Sequence, residues 1–167
     1  MYYQSLQNVI TMSKFDFKVP YTKTSLAING YDDSTIAKSE RADCVVRAIA
    51  SASGMTYDKA HNWVADTFNR KPKKGTYGFP KGMNKMSSDN KRLNRKKVTT
   101  IGSEYLKTNG GKSNMTVGTF ISEYNKGTYI VRVTGHVFTI KDGSVIGNWD
   151  DAVKVRRIVK NAWKIGS

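Results

Sequence analysis

The sequence predicts an α+β fold, with helices in the first part of the chain and an antiparallel sheet in the last part. Apolar residues recur at helical spacing between residues 43 and 68. Between residues 128 and 165, short β-branched and aromatic segments flank Lys141-Asp142-Gly143, which is a hairpin signal. The chain has 167 residues, which is enough for a single domain with a sizeable core.

The first forty residues carry few signals for regular structure. Residues 1–13 are polar and aperiodic, so they predict a loose arm or a short helix. Lys14–Val19 alternates charged and apolar side chains, which predicts a half-buried strand that Pro20 ends. Turn-forming residues within 21–40 then predict a loop.

Two helices are predicted between residues 43 and 68. The first runs from about Asp43 to Ser53, and its small side chains allow close packing on several sides. Ser39 and Asp43 are its candidate N-caps, because their short side-chain oxygens can accept free backbone N–H groups. The second helix follows a Thr56 cap, runs over Tyr57–Phe68 and presents an apolar face inward.

The second half of the chain predicts one more helix and then a series of strands. Thr116 caps a helix over roughly Val117–Asn125, which Gly127 ends. β-Branched and aromatic residues then favour strands. The predicted strands are Thr128–Val133, His136–Ile140, Ser144–Asn148, Val153–Val159 and Ala162–Ile165. The basic residues of Val153–Val159 are typical of an edge strand, because charge discourages further pairing.

The chain has a formal net charge of +15, and much of it falls in residues 70–97, which hold eleven Lys or Arg and one acid. With their several turn residues, we expect them to form an exposed insertion or long loop, with a short helix around Met83–Asn94. Such charge indicates an acidic partner, a nucleic-acid surface or solubility alone. The candidate contact residues are Arg70, Lys71, Lys73, Lys74, Arg92, Arg95, Lys96 and Lys97.

A nucleic-acid-binding function is the alternative that this basic window supports. Tyr77 and Phe79 lie among its lysines, so the segment could follow a phosphate backbone and stack bases. A charge run is more often a solvated loop, and the window contains no recognised RNA- or DNA-binding motif. A basic loop could also guide an acidic protein substrate to a cleft elsewhere, so both functions stay open.

Cysteine content and hydropathy exclude several classes of protein. A single cysteine, Cys44, rules out an intramolecular disulfide and a multi-cysteine zinc site, and it suits a reducing compartment. The first residues lack the pattern of a signal peptide, and no apolar run approaches the roughly 20 residues of a membrane helix. We therefore expect a cytoplasmic protein without a metal, a cofactor or a membrane contact.

Cys44 lies at or near the start of the first predicted helix. Free backbone N–H groups and the helix dipole favour an anion there, so the thiol would lose its proton more readily. The alternative is a small apolar residue that fills a core. Of the two histidines, His61 falls within the second helix as a structural or exposed residue. His136 opens a strand after Gly135, where its ring can project at a sheet edge.

The register of the hairpin decides which residue accompanies His136. In a three-residue loop, Gly143 forms a G1 bulge and Ile140 pairs with Ser144. Asn148 then lies opposite His136 on the same face, where it can hold the imidazole by a hydrogen bond. We favour this register.

A two-residue type I′ turn would change that partner. In this register Trp149 faces His136, and Asn148 points away. Asp150 is the alternative orienting residue. With either orienting residue, Cys44 and His136 would supply a nucleophile and a base, the arrangement that thiol catalysis requires.

Three motifs in this chain order resemble those of the papain-like cysteine peptidase superfamily. They are Asp43-Cys44-Val45-Val46-Arg47-Ala48 for the nucleophile helix, Gly135-His136-Val137-Phe138 for the base strand and Gly147-Asn148-Trp149 for the orienting residue. The segment Gly127–Asp150 also looks like the compact papain-fold proteins that bacteriophages encode. The resemblance implies one papain-like domain over residues 1–167, with the site in a cleft between helix and sheet and a basic insertion at about 70–97.

The resemblance also implies a reaction. Cys44 would attack an amide or isopeptide carbonyl of a protein or peptide substrate, and His136 would pass a proton to the leaving amine before water releases the acyl group. Papain-like peptidases usually carry a glutamine shortly before the cysteine, where this chain has Lys38. The oxyanion would then rely on the Cys44 backbone N–H with Ser39 or Lys38. An acyltransferase or an inactive papain fold therefore remains an alternative.

Overall fold

The computed structural model describes residues 19–167, and the fold is mixed α+β, as predicted. This part of the chain contains seven α-helices. They are α1 (Thr24–Ala27), α2 (Thr35–Ser39), α3 (Cys44–Ser53), α4 (Tyr57–Phe68), α5 (Phe79–Ser88), α6 (Val117–Glu123) and α7 (Trp149–Val153), with a 3₁₀ turn at Ser103–Leu106. No helix between residues 19 and 167 is long and apolar enough to cross a membrane.

The described strands form one large sheet and one short hairpin. They are β1 (Tyr21–Lys23), β2 (Arg92–Leu93), β3 (Lys96–Thr100), β4 (Lys107–Thr108), β5 (Ser113–Asn114), β6 (Thr128–Val133), β7 (His136–Lys141), β8 (Ser144–Gly147) and β9 (Asn161–Ile165). The large sheet has seven strands in the order β1-β8-β7-β6-β9-β3-β2, and its pairs are antiparallel except for the parallel pair β1–β8. β4 and β5 pair only with each other.

Helices pack on both faces of the large sheet, because side chains alternate between faces along each central strand. On β6, Ile130 belongs to a cluster with α3, α4 and α5, whereas Val131 belongs to a second cluster with α6 and α7. β9 behaves in the same way, with Trp163 in the first cluster and Ala162 in the second. The sheet is therefore the central layer that fixes the positions of α3 and α7.

The strongest local signals predicted their elements correctly. α3, α4 and α6 match the predicted helices within about two residues, and β6, β7 and β9 match predicted strands. Thr56 and Thr116 cap their helices by accepting bonds from Lys59 N–H and Thr119 N–H. At α3, Asp43 occupies the N-cap position without a side-chain capping bond.

Several other predictions are corrected by the structure. Ser39 does not cap α3, because it belongs to α2, where its hydroxyl donates to the Ile36 carbonyl. The predicted loop 21–40 contains β1, α1 and α2. The predicted arm 1–13 and most of the strand Lys14–Val19 lie outside the described residues. Val19 itself is buried and is not assigned to a strand.

The hairpin has the two-residue turn, so the favoured G1 bulge was wrong. Lys141 pairs with Ser144. Asp142 and Gly143 both have positive φ, 48° and 77°, as a type I′ turn requires. The ladder then places Ile140 opposite Val145 rather than Ser144.

The predicted edge strand Val153–Val159 was also wrong, because a helix ends at Val153 and the following residues form turns, with an isolated bridge between Ile158 and Thr116. Asn148 is the N-cap of α7, and it exchanges side-chain and backbone hydrogen bonds with Asp151 in a capping box. Acidic residues in the first turn also favour the helix through its dipole.

Residues 70–97 are not an inserted loop. They contain α5 and the hairpin β2–β3, and β3 joins the large sheet by pairing with β9. Phe79, Met83 and Leu93 are almost completely buried. Apart from buried Arg70, the basic residues of this segment are exposed on an integral part of the fold.

Candidate active site

Cys44 is the first residue of α3 and is half-buried. The preceding residue, Asp43, is buried and held from two sides. The Tyr57 hydroxyl donates to Asp43 Oδ2 at 2.7 Å, and Arg47 Nε lies 3.2 Å from Asp43 Oδ1. The backbone that carries the thiol is therefore fixed by α4 and by the next turn of α3.

His136 is the first residue of β7, and it lines a narrow cleft together with Cys44 and Asp151. This juxtaposition depends on the docking of α3 against β7. Thr139 Oγ1 donates to the Ala48 carbonyl at 3.0 Å and accepts from Ser51 Oγ at 2.8 Å. Because Thr139 is fully buried, these bonds tie helix to strand within the core.

Asp151 is the residue that accompanies His136. Its Oδ1 lies 2.8 Å from His136 Nε2, which leaves Nδ1 as the ring nitrogen available to the sulfur. Asp151 is itself fixed, because its Oδ2 accepts the Asn148 N–H and its Oδ1 lies 3.3 Å from Arg157 Nη2. The His136 ring also stacks on Phe138, with centroids 5.6 Å apart.

The predicted orienting residues occupy other places. Asn148 is exposed, and its side chain accepts the Asp151 N–H at 3.0 Å, so it caps the helix that carries Asp151 and does not orient the imidazole. Asp150 is exposed and pairs with Lys154 at 3.2 Å. The capping box that starts at Asn148 was the signal in the sequence that could have pointed to Asp151.

The three side chains shift one another's pKa values. Burial raises the pKa of the Cys44 thiol, but the interactions with His136, with the Val137 N–H and with the positive charge of Arg47 outweigh burial and lower that pKa. Asp151 and then Cys44 raise the pKa of His136 to about 9 against the effect of burial. Burial opposes the charged form of Asp151, yet the His136 contact lowers its pKa overall. These directions favour a thiolate–imidazolium pair near neutral pH.

An open groove reaches the pair. It has a volume of about 490 Å³ and is lined by Cys44 and His136 together with Ala42, Arg132 and the segment 75–80. A separate groove, of about 470 Å³, is lined by Arg47, Gly147 and Trp149 but by neither Cys44 nor His136. An extended chain bound in the first groove would therefore pass beside the sulfur.

The predicted oxyanion donors differ in position. The Cys44 N–H lies in the first turn of α3, where backbone N–H groups have no partner within the helix. Lys38 and Ser39 are exposed on α2. They line neither the groove of Cys44 and His136 nor the groove of Arg47 and Trp149. Thr76 lines the same groove as Cys44, and its buried Oγ1 makes no hydrogen bond in the described structure. This hydroxyl is a donor that the sequence did not indicate.

The candidate basic contacts separate into two groups. Arg70 is 4% exposed and forms a buried ion pair with Glu40, which corrects its assignment to a binding surface. The other seven are exposed. Among them, Arg92 Nη1 donates to the Arg95 carbonyl at 3.1 Å, and Lys96 and Lys97 lie on β3.

Within residues 19–167, no group of three or more His, Cys, Asp or Glu could hold a metal ion. Comparison of the sequence and the structure with protein-family models, curated proteins and solved structures gave no significant match.

Proposed function

We propose that the protein is a papain-like thiol hydrolase that cleaves amide or isopeptide bonds in a protein or peptide substrate. Cys44 is the nucleophile, His136 the base and Asp151 the residue that orients the imidazole. The observation that carries this proposal is that Cys44, His136 and Asp151 line one cleft, with Asp151 Oδ1 2.8 Å from His136 Nε2. A thiol buried only as core filling would need neither partner.

The reaction begins with the thiolate of Cys44. The sulfur adds to the carbonyl carbon, and the carbonyl π electrons move onto oxygen as an oxyanion. The Cys44 N–H can donate to that oxygen, and Thr76 Oγ1 is the second donor that we assign. The intermediate collapses with cleavage of the C–N bond, and the amine leaves with the proton of the His136 imidazolium.

Water completes the turnover. Neutral His136 takes a proton from water, the hydroxide adds to the thioester carbonyl, and the C–S bond breaks to regenerate the thiolate. Asp151 stabilises the imidazolium that then re-forms. If an amine in place of water takes the acyl group, the same residues perform acyl transfer.

A peptide with a carbon electrophile tests the proposal directly. The chain has a single cysteine, so the mass of the intact protein reports labelling of Cys44 without further mapping. We expect rapid labelling of the wild type, none of Cys44→Ala, and labelling of His136→Ala slowed by at least about 10²-fold, because the base is missing.

Asn148→Ala is the control for His136→Ala, because it removes the side-chain cap of α7 but keeps the base. A melting curve for each variant shows whether it is folded. Labelling of a folded His136→Ala at the wild-type rate would contradict the proposal.

A further inference from the structure

The groove that holds Cys44 and His136 is adjoined on the α5 side by another, which we call the second groove. It is distinct from the groove lined by Arg47 and Trp149. It has a volume of about 550 Å³, within the usual range for ligand pockets. Tyr77 and Gly78 line both this groove and the one that holds Cys44 and His136. A chain bound across the sulfur could therefore continue past Tyr77 into the second groove.

The floor of the second groove is aromatic and fixed. Trp63 packs edge-on against Phe68, with ring centroids 5.9 Å apart, and Phe68 packs on buried Phe79 at 5.5 Å. Tyr77 stands above this floor with 86% of its surface exposed. Such a surface offers apolar and stacking contacts to one large side chain.

The rim of the groove is positively charged. Lys81, Lys91 and Arg92 line it, and its acid, Asp89, is already paired with Lys85 at 2.8 Å. The positive charge of the other three residues therefore has no acidic counterpart in the lining. An apolar floor inside a ring of cations complements an apolar side chain flanked by carboxylates.

We infer that the substrate is an acidic polypeptide segment, whose aromatic or large apolar side chain enters this groove while flanking Asp or Glu contact Lys81, Lys91 and Arg92. This inference rests on the proposed function, because it identifies the groove's occupant with the chain that Cys44 attacks. The shared wall at Tyr77 and Gly78 favours a polypeptide over nucleic acid, since a thiolate–imidazolium pair acts on acyl groups.

Binding is measured with the Cys44→Ala protein, so that turnover does not consume the probe. The probe is a fluorescent peptide with glutamates around one phenylalanine, and the same peptide with glutamine in place of glutamate is its neutral counterpart. A labelled single-stranded oligonucleotide is the third probe. Anisotropy at low salt gives each affinity.

Lys81→Glu/Lys91→Glu reverses charge at the groove, and Lys112→Glu/Lys126→Glu makes the same change in net charge at exposed sites outside it. We expect the groove pair to weaken binding of the glutamate peptide at least about tenfold, and the control pair to change it less than about twofold. Added salt should weaken binding as well.

Three results would overturn the inference: equal binding of the glutamine peptide, equal loss in both double variants, or tighter binding of the oligonucleotide at this groove. Failure of the proposed function is distinguishable, because alkylation of wild-type Cys44 by iodoacetamide does not require the groove. Fast alkylation without peptide binding would reject only the acidic substrate. Peptide binding without fast alkylation would reject the enzyme and leave the groove as a binding site for an acidic peptide.

Discussion

At the scale of single residues, Asp151 decides how the imidazole behaves. Its carboxylate is the largest cause of the raised pKa of His136, which lies at about 9. A residue with this raised pKa stays protonated through neutral pH and can serve as the acid for the leaving amine. Because the ordinary pKa of histidine is about 6.5, the stabilisation that His136 gives the fold is complete below that pH and is lost as the pH rises through about 9.

Asp151→Asn should therefore lower the pKa of His136 and reduce kcat on the order of 10²-fold, since the imidazolium loses its partner. Asp150→Asn is the matched control, because Asp150 is exposed and its carboxylate pairs with Lys154 and not with His136 in the described part of the chain. The His136 ring resonances in an NMR titration give the pKa, and peptide hydrolysis gives kcat. Equal titration midpoints in both variants would show that Asp151 does not orient His136.

Gly147 lies close against the carboxylate of Asp151. A Cβ at this position would overlap Asp151 Oδ2, so Gly147→Ala should push the carboxylate away from His136. We expect activity to fall at least about tenfold, because a displaced Asp151 would no longer support proton transfer by His136 fully. Gly118→Ala is the control, since its Cβ would meet Val155 at an ordinary 3.5 Å. Similar activities in the two alanine variants would mean that Asp151 can move without consequence.

At the scale of elements, the site depends on how α3 is held against β7. Thr139 bonds to Ala48 and Ser51 in the core, and each element contributes its first residue to the catalytic pair. Thr139→Val keeps the shape but removes both bonds, so it should cost about 1–2 kcal/mol of unfolding free energy and also lower activity. Denaturation in urea measures the free energy of unfolding.

Thr99→Val, at an exposed position of β3, is the matched control and should change stability by less than about 0.5 kcal/mol. A Thr139→Val protein as stable and as active as Thr99→Val would mean that these bonds do not hold the site together.

Elements with local signals could be predicted from the sequence, whereas choices between local alternatives could not. Thr56 and Thr116 identify helix starts, because a cap acts within one turn. At Asp142-Gly143, both turn types fit the residues, and the observed one follows from strand twist. At Asn148, a capping box with Asp151 outweighed the strand propensity of the residues that follow.

At the scale of the whole molecule, tertiary contacts explain why the basic window is ordered. Phe79 and Met83 pack with Trp163 of β9, a partner that lies far along the chain. The sequence showed the charge of this window but not the distant partner. The same applies to Cys44 and His136: their types and order could be predicted, but their contact depends on the packing of α3 on the sheet.

Arg70 shows that not every basic residue of the segment 70–97 lies on the surface. It is buried with Glu40, which also lies 3.5 Å from His61 Nε2, and the Lys73 N–H donates to Glu40. This cluster ties α2 and α4 to the segment that leads into the groove wall. Arg70→Met should cost about 3 kcal/mol of unfolding free energy, because the buried carboxylate of Glu40 would lose its guanidinium partner.

Lys71→Met, at an exposed neighbouring position, is the matched control and should cost less than about 0.5 kcal/mol. Chemical denaturation of both variants measures the difference. Equal stabilities would place Arg70 back among the residues available to a partner.

The pH dependence of Cys44 alkylation by iodoacetamide, read as the mass of the intact protein, tests the thiolate–imidazolium pair most directly. Because the pKa of Cys44 is lowered, the thiolate should persist at pH values below the ordinary pKa range of thiols. It should be protonated only as the pH falls through the lowered pKa. We expect the alkylation rate of the wild type to rise at a lower pH than that of His136→Ala, whose rate should rise only near the pKa of a free thiol, about 8.5. Superimposable profiles of the two proteins would contradict the pair, and with it the proposed chemistry.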